Sequence, residues 1–371
     1  MKIISVEPFR VSLPFEHGAP KSGFAIGGDR PPGMEGVYIR VETDDGVVGW
    51  GEAFGFGGAP VAEVAVRRVV APLAIGRDPS DIAALMTDIR RRVQNLGHNG
   101  PVGFALSGLD IALWDIAGKV ANRPLHRLLG GGGTKTKIPT YASLLRANTP
   151  EYVRKLCAAA LKRGYRHIKL HERTIETVAA AREVVGKDFP LMLDTNCSWD
   201  PQQSIDMARR LKQFDLTWLE EPSYPPNDYR ALARVRRDGG VPVAAGENLG
   251  DLNDVREILE ADAVDVLQPD VTKMGGVTEL LKAIELAREH QVALEPHSPL
   301  YGPGLVATLH VIAAAAPATD EEMLCEFFYA DLEASPLGDV IYPSDGYLAV
   351  PTGPGLGITV DEDILRRYAA S

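Results

Sequence analysis

Eight short apolar runs, separated by stretches of helical period, occupy residues 138–328 and constrain the fold more than any other feature. They are IPTYAS at 138–143, HIKLHE at 167–172, LMLDTN at 191–196, WLEEP at 218–222, VPVAAGE at 241–247, VDVLQPD at 264–270, VALEPHS at 292–298 and MLCEFF at 323–328. The intervening stretches, such as 151–163, 201–213 and 277–290, read as amphipathic helices. Strands that alternate with helices pair in parallel, because each helix carries the chain back across the sheet, and eight of them call for a closed (β/α) barrel. An open doubly wound sheet is the competing arrangement. It needs a glycine-rich phosphate turn after its first strand, and the chain has none.

The preceding segment has a different character. Residues 1–13 alternate as a strand, and VYIRVETDDGVVG at 37–49 holds two β-rich runs around Asp44-Asp45-Gly46, a hairpin signal. Residues 14–35 are rich in Gly and Pro and read as a long loop, while 61–74, 82–96 and 102–120 carry helical periodicity. Four glycines at 130–133 mark a boundary.

Composition narrows the function. Of 371 residues, 39 are basic and 50 acidic, for a net charge of −11. Such a surface repels nucleic acid and anionic membranes, and no apolar run approaches the roughly 18 residues of a membrane span. The arginines at 67–68 and 90–92 are expected on solvated helix faces. Three scattered cysteines fit neither a disulfide framework nor a zinc site and favour a reducing, cytoplasmic compartment. The N-terminus alternates like a strand and does not read as a leader peptide.

Nearly every strand of the repeat ends in an ionisable group: Lys169 and His171, then Asp194, Glu220, Glu247, Asp270, His297 and Glu326. From Asp194 onward they stand 23 to 29 residues apart, one βα unit each, so a barrel brings them to one mouth. Converging carboxylates repel unless a cation joins them, and oxygen donors without sulfur suit a hard divalent ion, by default Mg²⁺. Asp194, Glu220 and Glu247 are read as that metal triad. A carboxylate beside an imidazole fixes its tautomer and raises its basicity, so Asp270 with His297 makes a general base.

Lys169-Leu170-His171, Asp194-Thr195-Asn196, Glu220-Glu221-Pro222, Gly246-Glu247-Asn248, Gln268-Pro269-Asp270 with Gly275-Gly276, and Pro296-His297 together resemble the enolase superfamily. Gly49-Trp50-Gly51-Glu52 and the run from Ala105 to Asp115 resemble its capping domain and the helix entering the barrel. Glu247 as third acid, and Asp270 where another branch has lysine, place the resemblance in the mandelate racemase subgroup. It implies a modified (β/α)7β TIM-type barrel with an α+β N-terminal cap. Residues 1–130 would form the cap, 131–335 the barrel, and 336–371 a segment packing back on the cap. It further implies abstraction of the proton α to a carboxylate, giving an enediolate, by an enzyme with one Mg²⁺ per site and a small carboxylate substrate. The family is usually homo-oligomeric. Lys169 would neutralise charge, His171 and His297 would act from opposite faces, and Glu326 would hydrogen-bond the substrate carboxylate. Asn196 and Ser143 would face the site from strand ends. The usual motif on the second strand is Lys-x-Lys. Here His171 replaces the second lysine, on the same strand face as Lys169, and counts against a symmetric two-base racemase.

Acid-sugar dehydration to a 2-keto-3-deoxy acid is the expected outcome, ahead of racemisation or epimerisation, cycloisomerisation, and a non-catalytic barrel scaffold. In the loop before the hairpin, Lys21 or Arg30 could hold a distal carboxylate or hydroxyls. Phe24, Phe54 and Phe56 suit a less polar ligand.

Overall fold

The computed structural model describes residues 1–18, 33–130, 135–315 and 323–370. At the N-terminus β1 (Ile3–Glu16), β2 (Gly33–Thr43) and β3 (Val48–Ala53) form an antiparallel sheet. The β2–β3 hairpin turns at the Asp-Gly site, where Gly46 adopts a φ of 83° and Thr43 and Val47 close the turn. The helix Pro101–Val120 lies across this sheet. Gly51 permits the close approach, because a Cβ there would collide with the Gly108 carbonyl.

The periodicity over 61–74 predicts one helix, but the structure has three pieces: Ala59–Ala65, a π-turn at Val66–Val70, and Ala71–Ala74. Pro72 explains the break, since it offers no N–H to the carbonyl one turn earlier and its ring crowds that position.

The second region is the parallel barrel. Its strands are β4 (Lys137–Ser143), β5 (Ile168–Leu170), β6 (Leu191–Asp194), β7 (Leu219–Glu220), β8 (Val243–Ala245), β9 (Val266–Leu267), β10 (Ala293–Leu294) and β11 (Cys325–Phe328). Among the described residues seven α-helices separate them, and all but Gly276–Glu289 start at a side-chain cap or a proline. Asp200 is one such cap: its side chain accepts from Gln202 N and Gln203 N while Gln203 reaches back to Asp200 N. No helix carries the chain from β11 back to a further barrel strand among the described residues. The chain instead runs into β12 (Asp331–Leu332), which pairs with β1, and β13 (Tyr347–Ala349), which pairs with β4. The architecture is therefore (β/α)7β with an α+β cap.

Backbone pairing runs β10-β9-β8-β7-β6-β5-β4-β11. Between β10 and β11 side chains complete the ring: Ser298 N donates to Glu326 Oε2 at 3.0 Å and Leu324 N to Glu295 Oε2 at 2.6 Å. Inside the barrel Tyr141, Met192, Trp218, Ala244 and Leu324 form an apolar plug beneath the mouth.

Buried polar groups hold cap, barrel and C-terminal segment together. The Asp115 carboxylate accepts from Trp50 N (2.9 Å), Leu356 N (2.8 Å) and Lys119 Nζ (2.7 Å). Asp110 accepts from Thr278 N (3.0 Å) and Oγ1 (2.6 Å). His310 Nε2 donates to Leu356 O (3.1 Å), which leaves its Nδ1 to accept from His126 N (3.2 Å) and His126 Nδ1 (3.0 Å). Near the C-terminus Ser12 N donates to Tyr368 O and Ala370 N to Arg10 O. Arg90, expected on a solvated face, instead donates to Gly275 O of the barrel.

Candidate active site

Parallel register brings the strand-end groups together. Asp194 and Glu220 are direct partners across β6 and β7. Leu170 pairs with Leu193, so the next residue, His171, meets Asp194. Glu247 follows β8 through Gly246, whose φ of 145° and close approach to the Gln268 backbone exclude a Cβ. A parallel bridge between Asp270 and His297 extends the β9–β10 pairing.

One oxygen from each of Asp194, Glu220 and Glu247 lies within 4.8 Å of the others. The set is oxygen-only, spans three strand ends and lies above the apolar plug, so it fits a hard divalent cation. Trp218 Nε1 (2.9 Å) and Gln268 Nε2 (2.8 Å) anchor Glu220 Oε2, while Lys169 Nζ binds Oε1 at 2.7 Å. Burial pushes the Glu220 carboxyl up to about 7, against the pull of Lys169 and with the help of Asp194. Glu221, next in the chain at a left-handed φ of 41°, is buried beside Glu247 and Asp194 and is pushed well above the usual carboxylate range. Asp194, Glu220 and Glu247, with Glu221 beside them, therefore crowd carboxylates at one spot, which is where an added cation belongs.

The histidines flank the triad. His297 Nδ1 donates to Asp270 Oδ2 at 2.7 Å, and Asp270 Oδ1 accepts from Thr272 N and Oγ1, both at 2.6 Å. This fixes the ring and leaves Nε2 facing the site, 2.9 Å from Glu247 Oε2. Burial pulls the His297 pKa down, but Glu247 and Asp270 outweigh it and the net shift is well upward. On the other side His171 Nδ1 donates to Leu144 O at 2.7 Å and Nε2 lies 3.2 Å from Asp194 Oδ2. Burial opposes its charge and Asp194 more than restores it.

Lys169, with none of its side chain exposed, bridges Glu220 and Glu326 (2.9 Å) and sits 4.0 Å from Asp194. Burial raises the Glu326 carboxyl, but Lys169 and His297 bring it down to about 2. Ser143 is buried beside Glu326. Asn196 lines the cleft, but its amide is committed: Nδ2 donates to Asp194 Oδ2 (3.0 Å) and Oδ1 accepts from Arg146 (3.2 Å). Lys21 and Arg30 lie outside the described residues, as does Phe24.

These groups open into a cleft of about 370 Å³. Phe54, Phe56 and Phe328 supply an aromatic wall, with Phe54 6.4 Å from the His297 ring. Arg146, Arg173 and Lys273, which no motif in the sequence singles out, also line the cleft. Lys273 Nζ donates to Asn248 Oδ1 (3.2 Å) and lies 4.6 Å from the centre of the Phe54 ring. All three stand just past strand ends, the only sequence signal that could have found them.

Comparison with known proteins agrees with this arrangement. Residues 34–130 match the family described as mandelate racemase / muconate lactonizing enzyme, N-terminal domain, and residues 152–364 match enolase C-terminal domain-like. The chain is 32% identical to arabinonate dehydratase of Saccharolobus solfataricus over 358 residues, 94% of each chain. It is 33% identical to D-galactarolactone cycloisomerase of Agrobacterium fabrum over 347 residues, 90% of each. A crystal structure of a mandelate racemase/muconate lactonizing protein from Paracoccus denitrificans, complexed with magnesium, superposes with a TM-score of 0.87 at 28% identity, covering 100% of this chain and 98% of that one. With matches across both regions and a barrel mouth built from the expected acids and histidines, the chain belongs to the mandelate racemase/muconate lactonizing enzyme family of the enolase superfamily.

Proposed function

We propose that this protein removes the proton α to a carboxylate with the help of Mg²⁺ and dehydrates an aldonic or aldaric acid to a 2-keto-3-deoxy acid. The observation that carries the reading is the meeting of two groups at one mouth: the Asp194–Glu220–Glu247 cluster, and the His297–Asp270 pair, whose second ring nitrogen, Nε2, is directed inward and lies 2.9 Å from Glu247 Oε2. Asp194, Glu220 and Glu247 would hold the ion, which supplies positive charge to the substrate carboxylate as the carbon acid loses its proton. His297 Nε2 takes the proton from C2, and Asp270 holds the resulting imidazolium. Lys169, held beside the triad by Glu326, orients the carboxylate and stabilises the enediolate more than the bound acid. The C2–C3 double bond then forms as the C3 hydroxyl leaves with a proton from His297 or His171. Water departs, and the enol tautomerises to the ketone. The aromatic wall excludes bulk water from this step.

The relatives support the reading by kind: one is an aldonic-acid dehydratase. Similarity to a lactone cycloisomerase favours a second reading, in which a ring oxygen is the leaving group and the same residues act. A homo-oligomer in the cytoplasm is part of the proposal. Among the described residues no helix is long and apolar enough to cross a membrane.

The test is a screen of aldonic and aldaric acids and their lactones with Mg²⁺ in D₂O. Deuterium at C2 or a 2-keto-3-deoxy product is expected. Absence of both with every acid would overturn the reading, and a product from lactones alone would select cycloisomerisation.

A further inference from the structure

We propose that Arg146 and Arg173 together seat a second carboxylate, so that the site takes a diacid (an aldaric acid or its monolactone) in preference to the corresponding monoacid. The inference rests on the α-proton reading, which already assigns one carboxylate to the triad, Lys169 and Glu326.

Both guanidinium groups line the cleft. Arg146 is fixed in place: Nε donates to His171 O (2.8 Å) and Nη2 to Asn196 Oδ1 (3.2 Å). Its Nη1 has no partner among the described residues, and Arg173, exposed at the end of the β5 loop, makes no ion pair or hydrogen bond among them. The two like charges lie within each other's field. Glu172 acts on Arg146 only through space, because its Oε1 accepts from Ala147 N (2.7 Å) and Asn148 N (3.3 Å). Asp194 is already held by Asn196 and faces the triad.

Among the described residues the rest of the cleft leaves few places for a second anion. Phe54, Phe56 and Phe328 make one side apolar, and Lys273 is tied to Asn248 beneath the Phe54 ring. Arg146 is separated from Asp194 by the single amide of Asn196. A short chain anchored at the triad therefore has its far end directed toward the arginines. In a protein of net charge −11, a pair of cleft-wall cations that make no ion pair with an acid among the described residues matches an anionic ligand group, and guanidinium suits carboxylate.

Calorimetry with Mg²⁺ present, comparing C5 and C6 aldaric acids with the aldonic acids of the same configuration, tests this. The diacid is expected to bind roughly 10- to 100-fold more tightly, the worth of one charge-assisted contact. Arg173→Met and, separately, Arg146→Met are expected to bring that ratio toward one, with Arg146→Lys recovering part of it. Equal affinity for the two acids, or a ratio that survives both methionine variants, would overturn the proposal. A diacid preference that depends on the arginines, but with no C2 deuterium uptake, would refute the enolisation reading while supporting this one.

Discussion

Two regions of this molecule bury charge, and they do so in opposite ways. Where the cap meets the barrel, two acids take donors from the elements they join: Asp115 has three donors and Asp110 has both donors of Thr278. At the barrel mouth Asp194, Glu220 and Glu247 face one another instead. A buried acid whose donors come from two elements fixes how they dock, whereas acids that converge on one another hold a repulsion that an incoming cation can relieve. The first arrangement serves cohesion and the second serves binding.

This contrast can be broken by substitution. Glu247→Gln should lower kcat/KM by about 10³-fold or more, since it removes charge meant for the ion. The melting temperature in metal-free buffer should fall less than in Asp115→Ala, because loss of the His297 ion pair is offset by relief of the repulsion between Glu247 and Glu221. His297→Asn should reduce kcat by about 10²- to 10⁴-fold and abolish C2 deuterium exchange. Asp115→Ala should do the reverse, removing about 3–5 kcal/mol of unfolding free energy by urea titration while the folded fraction keeps its kcat. A Glu247→Gln protein that unfolds, or an Asp115→Ala protein of normal stability, would erase the distinction.

A pH titration sharpens it. Burial holds the His310 imidazole down at about 4, and its Nδ1 must stay unprotonated to accept from His126. The unfolded chain, with an ordinary histidine pKa near 6.5, takes up the proton first as the pH falls. Stability from this group is therefore complete above about pH 6.5 and declines between about 6.5 and 4, by up to about 3 kcal/mol. His310→Gln, which can still donate to Leu356 O, should flatten that part of the curve.

Much of this was legible in the sequence because the barrel repeats. A strand end every 23 to 29 residues puts one ionisable group per βα unit at a common mouth, so Asp194, Glu220, Glu247, Asp270 and His297 follow from spacing alone. Lys169, His171 and Glu326 took their roles from the family resemblance. Arg146, Arg173 and Lys273 escaped both routes, since they sit on loops where no period applies and any of dozens of exposed cations could have served. The π-turn at Val66–Val70 was hidden for a different reason: Pro72 shifts the hydrogen-bond ladder without disturbing the apolar pattern. Nor does spacing reveal that Asn196 is already occupied by Asp194 and Arg146, a matter of side-chain direction at a left-handed φ of 46°.

Glu326 also ties chemistry to architecture. Its Oε1 meets Lys169 in the site, and its Oε2 receives Ser298 N across the one seam that no strand ladder stitches. The hoop of the barrel is thus buckled by a carboxylate that also faces the reacting acid. Loosening at that buckle would misplace Lys169 before the remaining strands part, so in mild denaturant turnover would fade ahead of global unfolding.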